Sequence, residues 1–141
     1  MPAIETARRM IDATDCDILG HRNVNHYFVM CSDGGFGLQD AFGLGRRHDG
    51  PEISASFAVV HAESDFLKEV LAGEIIYQHS SVTSIGTKSA TFLHRQFRTS
   101  DNALVFQSSF KAVLLDLKAR RGMPIPDEVK SRMQEFMETP G

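Results

Sequence analysis

Two carboxylates, an imidazole and an amide crowd one short run, Asp15-x-Asp17-x-x-Gly20-His21-x-Asn23, with Tyr27 four positions beyond. Asn23 suits a helix N-cap, because its side-chain oxygen can accept one of the free N–H groups of a first turn. A helix N-terminus carries unpaired N–H groups and the positive end of the helix dipole, which together stabilise a developing oxyanion. A carboxylate beside such a site can attack a carbonyl or activate water to do so. The same residue types also build an ordinary strand-to-helix corner, where Asp, Gly, His and Asn turn and cap the chain. Residue chemistry leaves both readings open.

Other groupings carry less. Cys16 lies five residues before His21, but the flanking carboxylates oppose the thiolate a cysteine nucleophile needs. Asp15, Asp17 and His21 lack the paired-histidine spacing of common metal sites, so no metal is expected. His61-Ala-Glu63 is not followed by the P-C-x-x-C of zinc deaminases. Gly35-Phe-Gly37 starts like a dinucleotide fingerprint but has neither the third glycine nor a strand directly before it. Glu69 is either a second carboxylate near the site or, the favoured reading, a solvent-facing one.

The elements that must position these residues follow from periodicity. A first strand is expected over about Thr6–Thr14. Val24–Leu44 reads as a helix with Tyr27, Met30, Cys31, Gly34, Leu38 and Phe42 on one face. Gly34, Gly35 and Gly37 each cost about 1 kcal/mol relative to Ala in a helix interior. They imply either close approach to a neighbouring backbone or a break at Gly34-Gly35. A polar loop spans Gly43–Pro51. Alternation at Ile53, Ala55, Phe57 and Val59 then marks a strand, and Phe66–Leu71 is short and irregular. Glu74–Ser84, Lys88–Thr99 and Ala103–Lys118 form an antiparallel meander with tight turns at 85–87 and 100–102. Pro126 or Asp127 opens a closing helix to about Met137, with Val129, Met133 and Phe136 on one face. The α+β arrangement that satisfies this order is a curved antiparallel sheet of about five strands wrapped around one central helix.

The chain of 141 residues fits a single domain over 1–141. A net charge of −3 argues against a nucleic-acid partner held by bulk electrostatics. Two cysteines, a charged N-terminus and no apolar run near 18 residues point to a reducing, cytoplasmic setting without membrane insertion.

The run DCDILGHRNVNHY resembles the D-x-D-x-x-G-H-x-N-x-x-x-Y signature of the 4-hydroxybenzoyl-CoA thioesterase group of hotdog proteins. EVLAGEIIYQHSSVTSIGTKSATFLHRQF and VLLDLKARRGMPIPDEVKSRM are similar to later stretches of those relatives, so the resemblance runs from about Arg8 to Met133. It implies a hotdog fold and hydrolysis of an acyl-CoA thioester, with no cofactor because CoA is part of the substrate. It also implies a homodimer or homotetramer with the active site between protomers. Asp17 falls on the carboxylate that attacks the thioester or activates water, and the N–H near Val24 on the oxyanion donor. His21, expected to orient Asp17 or the substrate, and Asn23 match the H-x-N of plant acyl-carrier-protein thioesterases. Those enzymes carry an Asn where this chain has Leu19, which argues against their mechanism.

Gly86, Lys88 and Ser89 of the I-G-x-K-S hairpin fall near the pantetheine arm. Arg46-Arg47-His48 and Lys118-Ala-Arg120-Arg121 suit the CoA phosphates or a solvated surface. Arg22 stands where relatives have an apolar residue. A hotdog hydratase needs four residues between its Asp and His, and Asp17 and His21 have three. The competing readings are a non-catalytic acyl-CoA-binding protein and a thioesterase acting on a carrier-protein-bound acyl group. Phe28, Phe36, Phe42 and Phe57 are expected in the core rather than in an acyl pocket.

Overall fold

The structure, a computed structural model, describes residues 2–44 and 54–138. Arg46, Arg47, His48 and Ile53 lie outside the described residues. Strand β1 (Ile4–Met10) leads through a 3-10 turn (Ala13–Asp15) to helix α1 (Val24–Ala41). Strands β2 (Ala55–Phe66), β3 (Ile75–Ile85), β4 (Ser89–Arg98) and β5 (Leu104–Asp116) follow, then a two-residue β6 (Arg121–Gly122) and helix α2 (Asp127–Gln134). The long strands pair antiparallel in the order β1-β3-β4-β5-β2, with β6 added to β5. The expected meander is β3-β4-β5, and β1 and β2 form the two edges.

Three boundaries differ from the sequence expectation. The first strand stops at Met10 because Asp12 and Asp15 close a capping box: Asp12 Oδ1 accepts from Thr14 N (2.9 Å) and Asp15 Oδ2 from Asp12 N (3.1 Å). Helix α2 ends at Gln134 because the following chain pairs with β3. There Val82 N donates to Phe136 O (2.9 Å) and Glu138 N to Val82 O (2.7 Å). Helix α1 runs unbroken through Gly34-Gly35 and stops at Ala41, short of Leu44.

Gly34 resolves the choice between close approach and a break. A Cβ there would collide with Gln78 Nε2 and stand 2.8 Å from both His94 Nδ1 and Ser80 Oγ. Helix α1 therefore rests on polar side chains of the inner sheet face. Gln78 Nε2 donates to Met30 O (2.7 Å) and Gln96 Nε2 to Tyr27 O (3.0 Å), so two sheet amides bond helix carbonyls directly. The polar belt continues from Gln96 to Gln78 (2.9 Å), from Gln78 to Thr6 Oγ1 (3.1 Å), and through Ser80 Oγ to His94 Nδ1 (2.7 Å).

Apolar clusters lie on either side of this belt. One gathers Leu38, Phe42, Phe57, Phe92, Leu114 and Met133 under the C-terminal half of α1 and beneath α2. The other gathers Ile11, Tyr27, Met30, Ile76, Phe106 and Phe110 under its N-terminal half. Phe42 and Phe57 are core residues as expected, and Phe28 packs half-buried against Phe66, Phe106 and Phe110. Phe36 is 61% exposed on α1, contrary to the core expectation, and lines a cavity with Phe57, Phe92 and Phe110 of the sheet.

Candidate active site

The sequence cluster occupies a compact loop at the N-terminus of α1. Cys16 bridges Arg22 antiparallel, and within that loop Asp17 N donates to His21 O (3.1 Å) and Gly20 N to Asp17 O (2.9 Å). The turn needs Gly20, whose φ of +83° lies in the left-handed region. Asp17 is fixed by two donors, Leu19 N on Oδ1 and Asn23 Nδ2 on Oδ2, each at 2.9 Å. The Asn23 amide first, and the Leu19 N–H second, hold the Asp17 carboxyl below the usual carboxylate range.

Asn23 does two jobs with one side chain. Its Oδ1 caps α1 by accepting from Asn25 N (3.0 Å), while its Nδ2 holds Asp17. His26 N is bonded to Asn23 O (3.1 Å), whereas the Val24 amide has no hydrogen-bond partner among the described residues. The free N–H of Val24 thus stands one residue from the group that fixes the carboxylate.

These residues open onto a cavity of about 500 Å³, walled by Asp17, His21, Asn23 and Val24 on one side and by Tyr27, Phe66 and Leu67 on another. Glu69 and Lys68 are exposed residues at its rim, so Glu69 is both solvent-facing and near the site. His21 lies in the wall, but its Nδ1 faces the Arg22 carbonyl at 3.2 Å. The contact that orients Asp17 comes from Asn23 instead.

Asp15, the first carboxylate of the motif, serves the scaffold. It is buried and bidentate to Arg9 (2.8 and 3.0 Å), with His26 Nδ1 at 3.5 Å. The Arg9 hydrogen bonds are the main reason its carboxyl is held below the usual range. Cys31 is buried on the inner face of α1, and that burial pushes its thiol up to about 12. No group of three or more His, Cys, Asp or Glu side chains is placed to hold a metal among the described residues. No helix among them is long and apolar enough to cross a membrane.

Gly86, Lys88 and Ser89 are not brought to the cavity within one chain. They form the β3–β4 turn, where Gly86 N donates to Ser89 O (2.7 Å), and the cavity wall sits near the opposite strand ends. Leu67 at that wall bonds Val105, next to Phe106, whose partner on β4 is Gln96. Ser89 and Gln96 are seven residues apart on one strand, roughly 23 Å at ~3.3 Å per residue. Arg121 of β6 pairs with Asp116 and Gly122 lies near Lys88, so the basic run 118–121 shares the hairpin's end of the sheet.

Sequence reasoning missed two features. Of the wall Phe66–Glu69 the sequence singles out Glu69 alone, and Phe66 and Leu67 read only as part of an irregular link. Arg22 read as an anomaly in an apolar position, and it proves to be 1% exposed, with its Nη1 bonded to Gln96 Oε1 (3.0 Å). Gln78 and Gln96 at inward positions of alternating strands were the available signal that this interior is polar.

A profile of the thioesterase-like superfamily matches residues 11–133. No curated protein matches the chain. Among solved structures, a predicted thioesterase from Bacillus stearothermophilus superposes with a TM-score of 0.83 at 16% identity, covering 99% of each chain. A thioesterase-superfamily protein from Jannaschia sp. gives 0.80 at 19% identity, covering 97% of this chain and 93% of that one. A 1,4-dihydroxy-2-naphthoyl-CoA thioesterase from Synechocystis gives 0.76 at 16% identity, over 94% and 96%. At these identities the likeness is one of fold.

Proposed function

Because the chain belongs to the thioesterase-like superfamily and has its hotdog fold, we propose that it hydrolyses an acyl-CoA thioester at the Asp17 loop. The observation that carries this reading is the side chain of Asn23, which fixes Asp17 and caps the helix whose Val24 amide remains free. Asp17 is the attacking group and Val24 N–H the oxyanion donor. A carboxylate held below its usual range is ionised at neutral pH, as attack on a thioester carbonyl requires.

In the direct route an Asp17 oxygen bonds to the thioester carbon, and the carbonyl oxygen becomes an oxyanion facing Val24 N–H. Collapse breaks the C–S bond, expels CoA as thiolate and leaves an acyl–aspartyl anhydride. Water then adds to the anhydride, releasing the free acid and the Asp17 carboxylate, and the thiolate takes up the remaining proton. His21, in the same wall, orients the incoming thioester.

The working unit is a homodimer formed along β2. This edge strand exposes Val59 and Val60 at about half their surface, and its outer backbone has no partner strand among the described residues. Antiparallel pairing of two β2 edges about a two-fold axis sets the 55 end of one copy beside the 66 end of the other. That brings the Gly86–Ser89 hairpin of one protomer toward the cavity of its partner, where Lys88 and Ser89 can meet the pantetheine arm. The setting is a cytoplasm holding the CoA ester.

Thiol release from a panel of acyl-CoA thioesters tests the reading. Wild type should turn over at least one member, and Asp17→Asn should lose at least a hundredfold in kcat/KM. Full activity in Asp17→Asn would refute the role given to Asp17. Tight acyl-CoA binding without turnover by wild type would make the protein a binding module.

A further inference from the structure

Arg22 lines the cavity with a positive charge that no carboxylate among the described residues pairs by hydrogen bond, Asp15 acting on it only through space. Its Nη1 donates to Gln96 Oε1 (3.0 Å) and its Nη2 to His26 O (3.2 Å), with Met30 Sδ at 3.0 Å. The guanidinium carbon sits 4.7 Å from the centre of the Tyr27 ring. All of these partners are neutral. The Nε–H has no partner at all among the described residues, although the residue is 1% exposed.

Such an arrangement is unfavourable for a free protein. A guanidinium stays charged even when burial lowers its pKa, and a buried charge without a counter-charge loses hydration that neutral acceptors only partly replace. An apolar residue of similar volume would fill the same space without that loss. Asp15, the nearest buried carboxylate in the motif, is already committed to Arg9.

The cavity supplies both the position and the route for the missing anion. Asp17 and Val24 mark where the thioester carbonyl is held, and Tyr27, Phe66 and Leu67 form the wall along which an acyl chain must run. Tyr27 is the residue whose ring stacks on Arg22. At the rim Lys68 adds a second positive charge and Glu69 beside it a negative one, so Arg22 is the buried charge of the cavity. A short methylene chain along this wall, ended by a carboxylate, satisfies the apolar surface and the cation together.

We propose that Arg22 is a specificity-determining residue, selecting thioesters whose acyl chain ends in a carboxylate. The inference rests on the thioesterase reading above and names its substrate class. The phosphates of CoA are the other anions of the substrate. They are common to every acyl-CoA, so a comparison at constant CoA isolates the acyl end.

The experiment pairs binding with turnover. Binding of 3-carboxypropyl-CoA and butyl-CoA, non-hydrolysable thioethers, is measured by calorimetry, and hydrolysis of succinyl-CoA and butyryl-CoA by thiol release. Wild type should bind the carboxylated thioether at least tenfold more tightly and hydrolyse succinyl-CoA with at least tenfold higher kcat/KM. Arg22→Met should bring both ratios to within threefold of one, and Arg22→Gln replaces it if the methionine variant does not fold. Equal handling of the paired ligands by wild type overturns the inference and leaves the hydrolase reading standing. A binding preference without turnover of any thioester upholds the selection and overturns hydrolysis. A preference that survives loss of Arg22 overturns the assignment to this residue.

Discussion

The amide of Asn23 donates to Asp17 at 2.9 Å while its carbonyl oxygen caps helix α1 at 3.0 Å, so one side chain ties the carboxylate to the helix end. The two halves of that amide can be separated by substitution. Asn23→Asp keeps an oxygen for the cap but puts a negative charge against Asp17. The Asp17 pKa, held down mainly by the Asn23 donor, must then rise. The acid limb of the kcat/KM profile should move to higher pH, and kcat/KM should fall at least tenfold. Asn23→Ala should lose both functions, with about 1 kcal/mol of stability going with the cap.

His94 sets a pH dependence of folding. It is buried, and burial alone pushes its imidazole down to about 4. The unfolded chain takes up a proton near the ordinary histidine pKa of about 6.5, and the folded chain does not until about 4. Stability therefore falls as pH drops through this window, by a few kcal/mol in all. Urea midpoints at pH 7 and pH 4.5 should differ clearly in wild type and much less in His94→Gln.

Asp15 acts in a lower window. Its folded pKa is depressed by Arg9, so its contribution is complete above the ordinary carboxylate value of about 4 and disappears as pH falls through the folded one. Asp15→Asn should destabilise the protein at pH 7 and flatten the loss between pH 4 and pH 2. Thermal melts across that range check the sign.

Gly34→Ala should destabilise by roughly 1–3 kcal/mol, because the atoms it meets belong to hydrogen-bonded side chains beneath the helix rather than to free chain ends. Gly35→Ala, where a Cβ meets nothing within 4 Å, is the control and should be neutral or slightly stabilising. Denaturant unfolding of the two variants gives the comparison.

Val59→Asp combined with Val60→Asp places like charges opposite one another if β2 edges pair. The double variant should sediment as a monomer and lose thioesterase activity while retaining its secondary structure. A dimeric, active variant would rule out pairing along β2.

The framework was legible because period-two alternation survives in the strands. Ile76, Gln78, Ser80 and Val82 all point inward, and their spacing identifies a strand whether or not they are apolar. The start of α1 was legible from Asn23, a residue whose capping chemistry is local. Element ends were less so. The stop at Met10 depends on Asp12 and Asp15 acting together, and the end of α2 on Val82, more than fifty residues away in sequence.

Within the candidate site, the residue types of the D-x-D motif alone gave its two carboxylates no separate roles, and only the family resemblance singled out Asp17. Only the position of Arg9, six residues back along the chain, makes Asp15 structural and leaves Asp17 facing the cavity. The burial of Arg22 was invisible for a related reason. A lone charge reads as surface unless its neutral partners, here Gln96 on β4, can be placed beside it.

The two glutamines that reach from the sheet to the carbonyls of Tyr27 and Met30 have a mechanical consequence. A helix seated on purely apolar neighbours can slide or roll by a fraction of a turn with little penalty. Here a roll of one residue strands two buried amides and drives a side chain against the surface Gly34 leaves clear. The belt indexes α1 in both depth and phase, and with it the bearing of the Val24 amide.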